Sequence, residues 1–355
     1  MPSTCDISHR DGAEIYTFKN DSLCLEMYVV CNNAFQNNST FIGGCRFIEY
    51  ASSERAIKDA IRLSKAMSFK LLVSGLQYGG GKVVINRPSN FDNIDRERFF
   101  REVGRCIESL NGKLITGCDA GTRMADMYQA SLETSYITAL ETSESGHSYL
   151  IEATSLGLCI AIERSLQLCD ILDVGKATVA IQGVGAVGAS LAKRLAKLGS
   201  RLIVSDIDEA RLVDLLRHVD VQVVSPDAIL RVDSDVFSPC ALGGVIDSFF
   251  VEKNSAKIIC GAANNQLTDD LVLNGIHSKG TFYVPDFLAN VGGLLYAAGS
   301  YEKKEWHQIQ HEIEQLVQHW LQAISEKFRK NDKHTLNIVF DLLQGENIAC
   351  SNHAR

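Results

Sequence analysis

Along the 355-residue chain, short apolar runs alternate with amphipathic stretches, and the rhythm changes near residue 150. CLEMYVVC (24–31) predicts a strand, closed by an Asn-rich polar turn over 32–38. FIGGCRFIEY (41–50) continues with two glycines where a side chain would obstruct. From Ser53 to Phe69, the residues Ile57, Ala60, Ile61, Ser64 and Met67 keep helical spacing. LLVSGLQYGGGKVVI (71–85) reads as a strand pair interrupted by a glycine cluster, and 94–110 as another amphipathic helix. Beyond residue 150, short strands are expected at TVAIQ (178–182), RLIVSD (201–206), VQVV (221–224), DVFSP (235–239), KIICG (257–261) and TFYVP (281–285). Segments of βαβ length separate them, which implies a parallel, doubly wound α/β sheet. A long amphipathic helix over 303–329 carries the stripe Ile309, Ile313, Leu316, Val317, Trp320, Leu321, Ile324 and Phe328, suited to packing.

Composition narrows the function classes. Length alone favours two domains, and 46% hydrophobic with 22% charged residues excludes a disordered chain. The net charge of −8, without a long basic run, argues against nucleic-acid binding as the main activity. No stretch approaches the roughly 18 apolar residues of a spanning helix, and the N-terminus has no signal-like apolar core. Eleven scattered cysteines, none in C-x-x-C spacing, suit reduced thiols in a cytoplasmic protein. Neither they nor the nine histidines cluster as metal ligands, so no metal is expected.

Gly183-Val184-Gly185-Ala186-Val187-Gly188 matches G-x-G-x-x-G after an apolar strand and before a helix, with Asp206 closing the next strand. That context marks a dinucleotide turn. Gly183 permits the bend, Gly185 lets a pyrophosphate approach, and Gly188 lets helix and strand pack closely. Asp206 would accept hydrogen bonds from the adenosine ribose and repel a 2′-phosphate, favouring NAD; an Asp ending a strand can also serve structure alone.

GGGK (79–82) is not a phosphate-binding P-loop, because the glycine spacing is wrong and Val83 replaces Ser or Thr. Lys82, boxed in by glycines and followed by an apolar run, is a candidate desolvated acid or base with a lowered pKa. Lys70 is expected to end a helix, where a cation is favoured in any case. Asp119 in ITGCDAGT closes an apolar segment, and alone would mean little.

The motifs GGCRF, AIRLSKAMSFK, GGGKVVI, LNGKLITGCDAGT, VAIQGVGAVG, SPCALGG, GAANNQL and PDFLANVGG occur in that order between residues 20 and 330. In this the chain resembles the amino-acid dehydrogenases that act on Glu, Leu, Phe and Val, and specifically their leucine/phenylalanine branch. The resemblance implies an N-terminal α/β domain for substrate and oligomerisation (1–147), a Rossmann-type NAD domain (148–329) and a segment returning to the first domain (330–355), with the active site in the cleft between the domains. It implies reversible oxidative deamination of a hydrophobic L-amino acid to the 2-oxo acid and ammonia, in a homo-oligomer. Lys82 would be the catalytic lysine and Asp119 its proton-transfer partner. Lys70 with the backbone at Gly43 and Gly44 would hold the substrate carboxylate. Thr154, Cys240, Ala241, Ala263, Asn264 and Asn290 would line the cofactor.

Gly117 and Leu294 fall where phenylalanine-specific relatives tend to carry Gly and Leu, and Ala297 is small for its position. Together they favour a large side chain, since a missing methyl leaves room for a ring. Nothing in these segments supplies a second cation for a glutamate side chain. The chain departs from the family at Tyr149-Leu150-Ile151-Glu152, where relatives have a Pro-Ser-Pro-like stretch. Cys118 replaces a commonly acidic residue, and LLYAAGS (294–300) lacks the family's Asn and acidic residues. Two alternatives stay open: a catalytically weak dinucleotide-binding homologue with a regulatory role, and a dehydrogenase for tryptophan or another bulky amino acid. Cys118 and Cys240 sit where oxidation is expected to inhibit.

Overall fold

The computed structural model describes residues 3–35, 38–141, 148–170, 173–269, 271–328, 335, 337–339 and 341–343. The chain divides into two units: Met1–Ser148 with Ala297–Glu305, and Tyr149–Tyr296 with the chain from Trp306 onward.

In the first unit the strands are β1 (Thr4–Arg10), β2 (Ala13–Asn20), β3 (Leu25–Asn32), β4 (Phe41–Ile48), β5 (Gly79–Asn86) and β6 (Leu114–Cys118). Their order is β1-β2-β3-β5-β4-β6. β3 is antiparallel to β2 and β5, whereas β4 runs parallel to both β5 and β6. Helix α1 (Ser53–Ser74) covers one face, where Ala56, Ala60 and Ile61 meet Ile15, Tyr28, Val30 and Val84. Helix α2 (Arg96–Glu108) covers the other, where Phe99, Phe100, Val103 and Ile107 meet Met27, Val29, Phe47, Val83 and Ile85. Successive strand side chains point to opposite faces, so a strand covered on both must be apolar at nearly every position. This is why CLEMYVVC shows no alternation.

The expected strand at 71–74 is instead the last turn of α1. Ser64, Ser68 and Leu71 continue its buried stripe, and Gly75 ends it with φ 71°, its N–H bonded to Leu72 O. Lys70 consequently lies a full turn inside the helix rather than at its end. Strands β1 and β2, helix α3 (Met124–Ser131) and helix α4 (Tyr149–Leu168) are additions to the expected elements.

The second unit holds β7 (Thr178–Gln182), β8 (Arg201–Ser205), β9 (Gln222–Val223), β10 (Val236–Pro239), β11 (Ile258–Ile259) and β12 (Phe282–Tyr283). They form an all-parallel sheet in the order β12-β11-β10-β7-β8-β9. The order reverses beside β7, whose C-terminal end opens through the glycine turn into helix α5 (Ala186–Lys197). Such a switch point is where open α/β sheets take their ligands. The helix Trp306–Phe328 buries Ile309, Ile313, Val317, Trp320, Leu321 and Ile324 and packs on α4. The divergent stretch Tyr149–Glu152 is the first turn of α4, where Glu152 Oε2 accepts from Arg194 Nη2 of α5 at 2.5 Å.

The stretch that rejoins the first unit is Ala297–Glu305. Residues 330–355, expected to make that return, lie mostly outside the described residues. No described helix is long and apolar enough to cross a membrane.

Candidate active site

Lys82 sits on β5, and its neighbours on the same face show what covers it. Two residues before it, a Cβ at Gly80 would lie 2.2 Å from Ser68 Oγ of α1; two residues after it, Val84 packs in the α1 core. Lys82 is accordingly buried, at 5% exposure. Asp119 follows directly on β6, with β4 lying between β6 and β5 in the sheet. A side chain on β4 would stand in the way. Gly44, beside Lys82 on the same face, leaves the path clear: a Cβ there would come 2.8 Å from Asp119 Cβ, while on the other face a Cβ at Gly43 would come 1.8 Å from Gly81 O, so both positions need glycine. Lys82 Nζ can therefore reach across β4 and donate to Asp119 Oδ2 over 2.6 Å. Lys70 is half-buried on α1, the helix covering this face.

Burial pushes the Asp119 carboxyl up, but the charge and hydrogen bond of Lys82, with Arg46 and the Ala120 N–H, outweigh it and lower the pKa to about 2. Asp119 is thus a carboxylate at any working pH. Arg46 of β4 is a member of the site that the motifs did not single out: its Nε donates to Asp119 Oδ2 at 3.3 Å. Strand alternation carries the signal, since Gly44 and Arg46 share a face.

The expected side-chain pocket is only partly assembled within the first unit. Gly117 and Ala297 both adjoin Thr138, whose Oγ1 donates to Ala297 O over 2.7 Å. A Cβ at Gly117 would meet Thr138 O at 2.9 Å and Thr138 Cγ2 at 3.6 Å. The space freed by the missing methyl is thus filled by Thr138, and Gly117 is explained by close packing rather than by room for a ring. Leu294 is buried, in the helix Gly292–Tyr301.

In the second unit the glycine turn has the form a pyrophosphate needs. Gly183 takes φ 92°, and a Cβ there would strike Ala241 Cβ at 2.7 Å. A Cβ at Gly188 would lie 2.0 Å from Gly183 O and 3.3 Å from Cys240 Cβ, so Cys240 and Ala241 back the turn directly. Beside Gly185, by contrast, only Arg211 Nη1 approaches, at 3.6 Å. Backbone N–H groups at the start of α5, through Ala186 and Val187, face anions favourably. Val184, Gly185, Ala186 and Arg211 line a hollow of about 560 Å³. The residues present fit a dinucleotide.

Asp206 is partly exposed as a residue, but its side chain is almost fully buried. Its Oδ2 accepts from Val184 N–H at 2.8 Å and its Oδ1 from Asp208 N–H at 2.9 Å, with Arg211 Nη1 3.8 Å away. A carboxylate accepts about four hydrogen bonds, so two sites remain. Asn264 and Asn290 are brought together: Asn290 Nδ2 donates to Asn264 Oδ1 at 2.8 Å and to Ala262 O at 3.0 Å. Ala263 N–H donates to Pro239 O, fastening this loop to the end of β10. Thr154 Oγ1 donates to Leu150 O at 2.7 Å, and Gly293 packs against it. Two further residues escaped the motif reading. Ile207 (89% exposed) and Leu242 (82% exposed) stand just past β8 and β10, on either side of the glycine turn. Large apolar side chains so exposed beside a binding turn suit the two faces of a planar ring.

Family models match both units: the Glu/Leu/Phe/Val dehydrogenase dimerisation domain over residues 26–136, and Glutamate/Leucine/Phenylalanine/Valine dehydrogenase over 146–210 and 202–350. The chain belongs to the Glu/Leu/Phe/Val dehydrogenase family. It is 37% identical to phenylalanine dehydrogenase of Caldalkalibacillus thermarum over 260 residues, 72% of this chain and 70% of that protein. It is 34% identical to leucine dehydrogenase of Geobacillus stearothermophilus over 318 residues, 88% and 85% of the two chains. Among solved structures, L-tryptophan dehydrogenase from Nostoc punctiforme superposes with a TM-score of 0.76 at 29% identity, covering 94% of this chain and 95% of that one. The family is one of dinucleotide-binding oxidoreductases, which accounts for a glycine turn and a buried Lys–Asp pair in one chain.

Proposed function

We propose that this protein catalyses the NAD-dependent, reversible oxidative deamination of a hydrophobic L-amino acid to its 2-oxo acid and ammonia. The observation that carries the reading is the buried 2.6 Å pair of Lys82 and Asp119 reached across a glycine gap in β4. A lysine and a carboxylate so placed can stabilise an oxyanion and move protons. Lys70 and the backbone at Gly43 and Gly44 hold the substrate carboxylate, a cation and N–H donors giving it a fixed orientation. A nicotinamide dinucleotide held at the Gly183–Gly188 turn would supply the hydride acceptor for the substrate Cα. Water adds to the resulting imine; Lys82 stabilises the oxygen of the carbinolamine, and Asp119 carries protons until ammonia leaves.

NAD rather than NADP is favoured by Asp206, a buried carboxylate that would repel a 2′-phosphate. Asn264, Asn290, Thr154 and Ala263 complete the cofactor contacts. The substrate is bulky: the relatives include phenylalanine and leucine dehydrogenases, and the tryptophan enzyme aligns over nearly the whole chain. With Gly117 explained by packing, this preference rests on Leu294, Ala297 and those relatives. The protein works in the cytoplasm as a homo-oligomer built through the first unit, for which the family's description as a dimerisation domain speaks.

The test is NADH formation with a panel of L-amino acids, each with NAD and with NADP. Turnover is expected with phenylalanine, tryptophan or leucine, none with glutamate, and a kcat/KM at least tenfold higher with NAD. Tight NAD binding without turnover on any amino acid would sink the enzyme reading in favour of a regulatory homologue.

A further inference from the structure

Asp119 is addressed by two cations, and both reach the same oxygen. Lys82 Nζ donates to Oδ2 at 2.6 Å and Arg46 Nε at 3.3 Å; neither touches Oδ1. Arg46 is itself braced. Its Nη1 donates to Asp59 Oδ2 at 3.0 Å, an oxygen that also accepts from Tyr50 Oη at 2.7 Å, while Arg62 Nη2 donates to Asp59 Oδ1 at 2.7 Å. Asp59 and Arg62 belong to α1, so a planar guanidinium ties the carboxylate beyond β6 to the helix over the sheet.

We propose that Arg46, braced by Asp59, is a positioning residue that fixes the Asp119 carboxylate with Oδ2 toward Lys82 and Oδ1 toward the reacting substrate. The inference rests on the proton-transfer role given to Asp119 above. The terminal torsion of an Asp is broad, and a lysine on a flexible stem cannot hold it alone. A second donor on the same oxygen, from a rigid fork anchored elsewhere, removes that freedom. The same α1 carries Lys70, so the brace also couples the carboxylate to the helix expected to hold the substrate.

The charged surroundings of Asp119 set the sign of the pH effect. Lys82 faces it from β5 and Arg46 from β4. Cys118 on β6 and Cys45 on β4 are pushed up by burial and stay neutral. Asp126 of α3 is paired with Arg96 at 2.6 Å. Without Arg46, burial is opposed by Lys82 and the Ala120 N–H, and the carboxyl rises. From about 2 that rise still leaves Asp119 ionised across the working range, so what is lost without Arg46 is the orientation of the carboxylate rather than its charge.

The experiment compares R46M, R46K and D59N with the wild type on its best amino acid across pH, with thermal melts as the folding control. R46M is expected to lose roughly ten- to a hundredfold in kcat. KM for the amino acid and for NAD should stay within about twofold, so the loss is one of kcat. R46K, which keeps a cationic donor, should recover part of kcat, and D59N should show the same loss more weakly. An unchanged kcat in R46M, a loss carried by KM instead, or R46K no better than R46M, overturns the proposal. Should R46M fail to fold, D59N at wild-type kcat overturns it. A wild type without turnover would be a failure of the functional reading alone. In that case the carboxyl ¹³C titration of Asp119 decides: a midpoint raised in R46M and restored in R46K supports the pairing, and one unshifted in both R46M and D59N overturns it.

Discussion

The two sheets meet their tasks in opposite ways. In the first unit the chemistry sits inside the sheet: Lys82 is buried on β5, and its partner is reached across a strand stripped to glycine. In the second unit the proposed cofactor site lies beyond the strand ends, at the backbone of Gly183–Gly188, at Asp206 just past β8, and at the exposed Ile207 and Leu242. Proton transfer needs charged groups locked in a dry, fixed geometry, whereas holding a cofactor needs donors and surfaces open to it. Damage to the first sheet should therefore fall on turnover, and damage to the second on cofactor affinity.

The largest effect expected is that of Lys82→Ala. It removes the ammonium proposed to stabilise the oxyanion and leaves the Asp119 carboxylate with Arg46 and the Ala120 N–H. Turnover should fall on the order of 10³-fold or more, while NAD affinity measured by calorimetry stays within about twofold. A variant with near-normal rates would take the lysine out of the mechanism; one that loses NAD binding equally would erase the contrast between the sheets.

A matched pair of glycine substitutions sharpens the contrast at smaller amplitude. Gly44→Ala places a methyl 2.8 Å from Asp119 Cβ, and Gly188→Ala places one 2.0 Å from the backbone oxygen of Gly183. Each strain is of the overpacking kind, about 1–3 kcal/mol, so both proteins should fold with lowered melting temperatures. Gly44→Ala should cut kcat by roughly ten- to a hundredfold with NAD affinity intact, because the carboxylate is displaced. Gly188→Ala should weaken NAD binding by at least about tenfold, because α5 can no longer seat against the turn. Equal losses of both quantities in both variants would show that the division is not real.

How far the sequence reveals this depends on whether a partner is local. The glycine turn and the strands around it were legible because turn, helix start and acidic strand end follow one another within a short stretch. Lys82 drew attention by its glycines and following apolar run, but its pairing with Asp119 came only through the ordered motifs; the reason they meet, bare glycine on an intervening strand, belongs to the strand order. LLVSG was misread because a short apolar run at a helix end and a buried strand look alike by periodicity. Gly117 was misread because the carbonyl filling its space comes from Thr138, on a separate segment. Arg46 lay within a quoted motif, yet its meaning required Asp59 and Asp119 from two other elements.

The cysteines give the smallest effect and the last contrast. Sequence position alone placed Cys118 beside Asp119 and Cys240 against the glycine turn, where oxidation was expected to inhibit. The surroundings of the two thiols argue against that expectation. Burial, with the negative charges of Asp126 and Asp119, pushes the Cys118 thiol up to about 11, against a weaker opposing hydrogen bond from Thr122. Burial likewise raises Cys240, although Ser238 and the Ala262 backbone work against it. The thiolate is the reactive species, and thiols raised at partly buried positions supply little of it near neutral pH. A thiol reagent at pH 7 should modify the exposed Cys24 while Cys118 and Cys240 remain unmodified by mass spectrometry, and turnover should stay within about twofold of the untreated enzyme. Labelling of Cys118 in step with loss of activity would show the first sheet to be more open than the buried Lys82–Asp119 pair requires. Labelling of Cys240, blocked by NAD, would instead locate a reactive thiol at the cofactor turn.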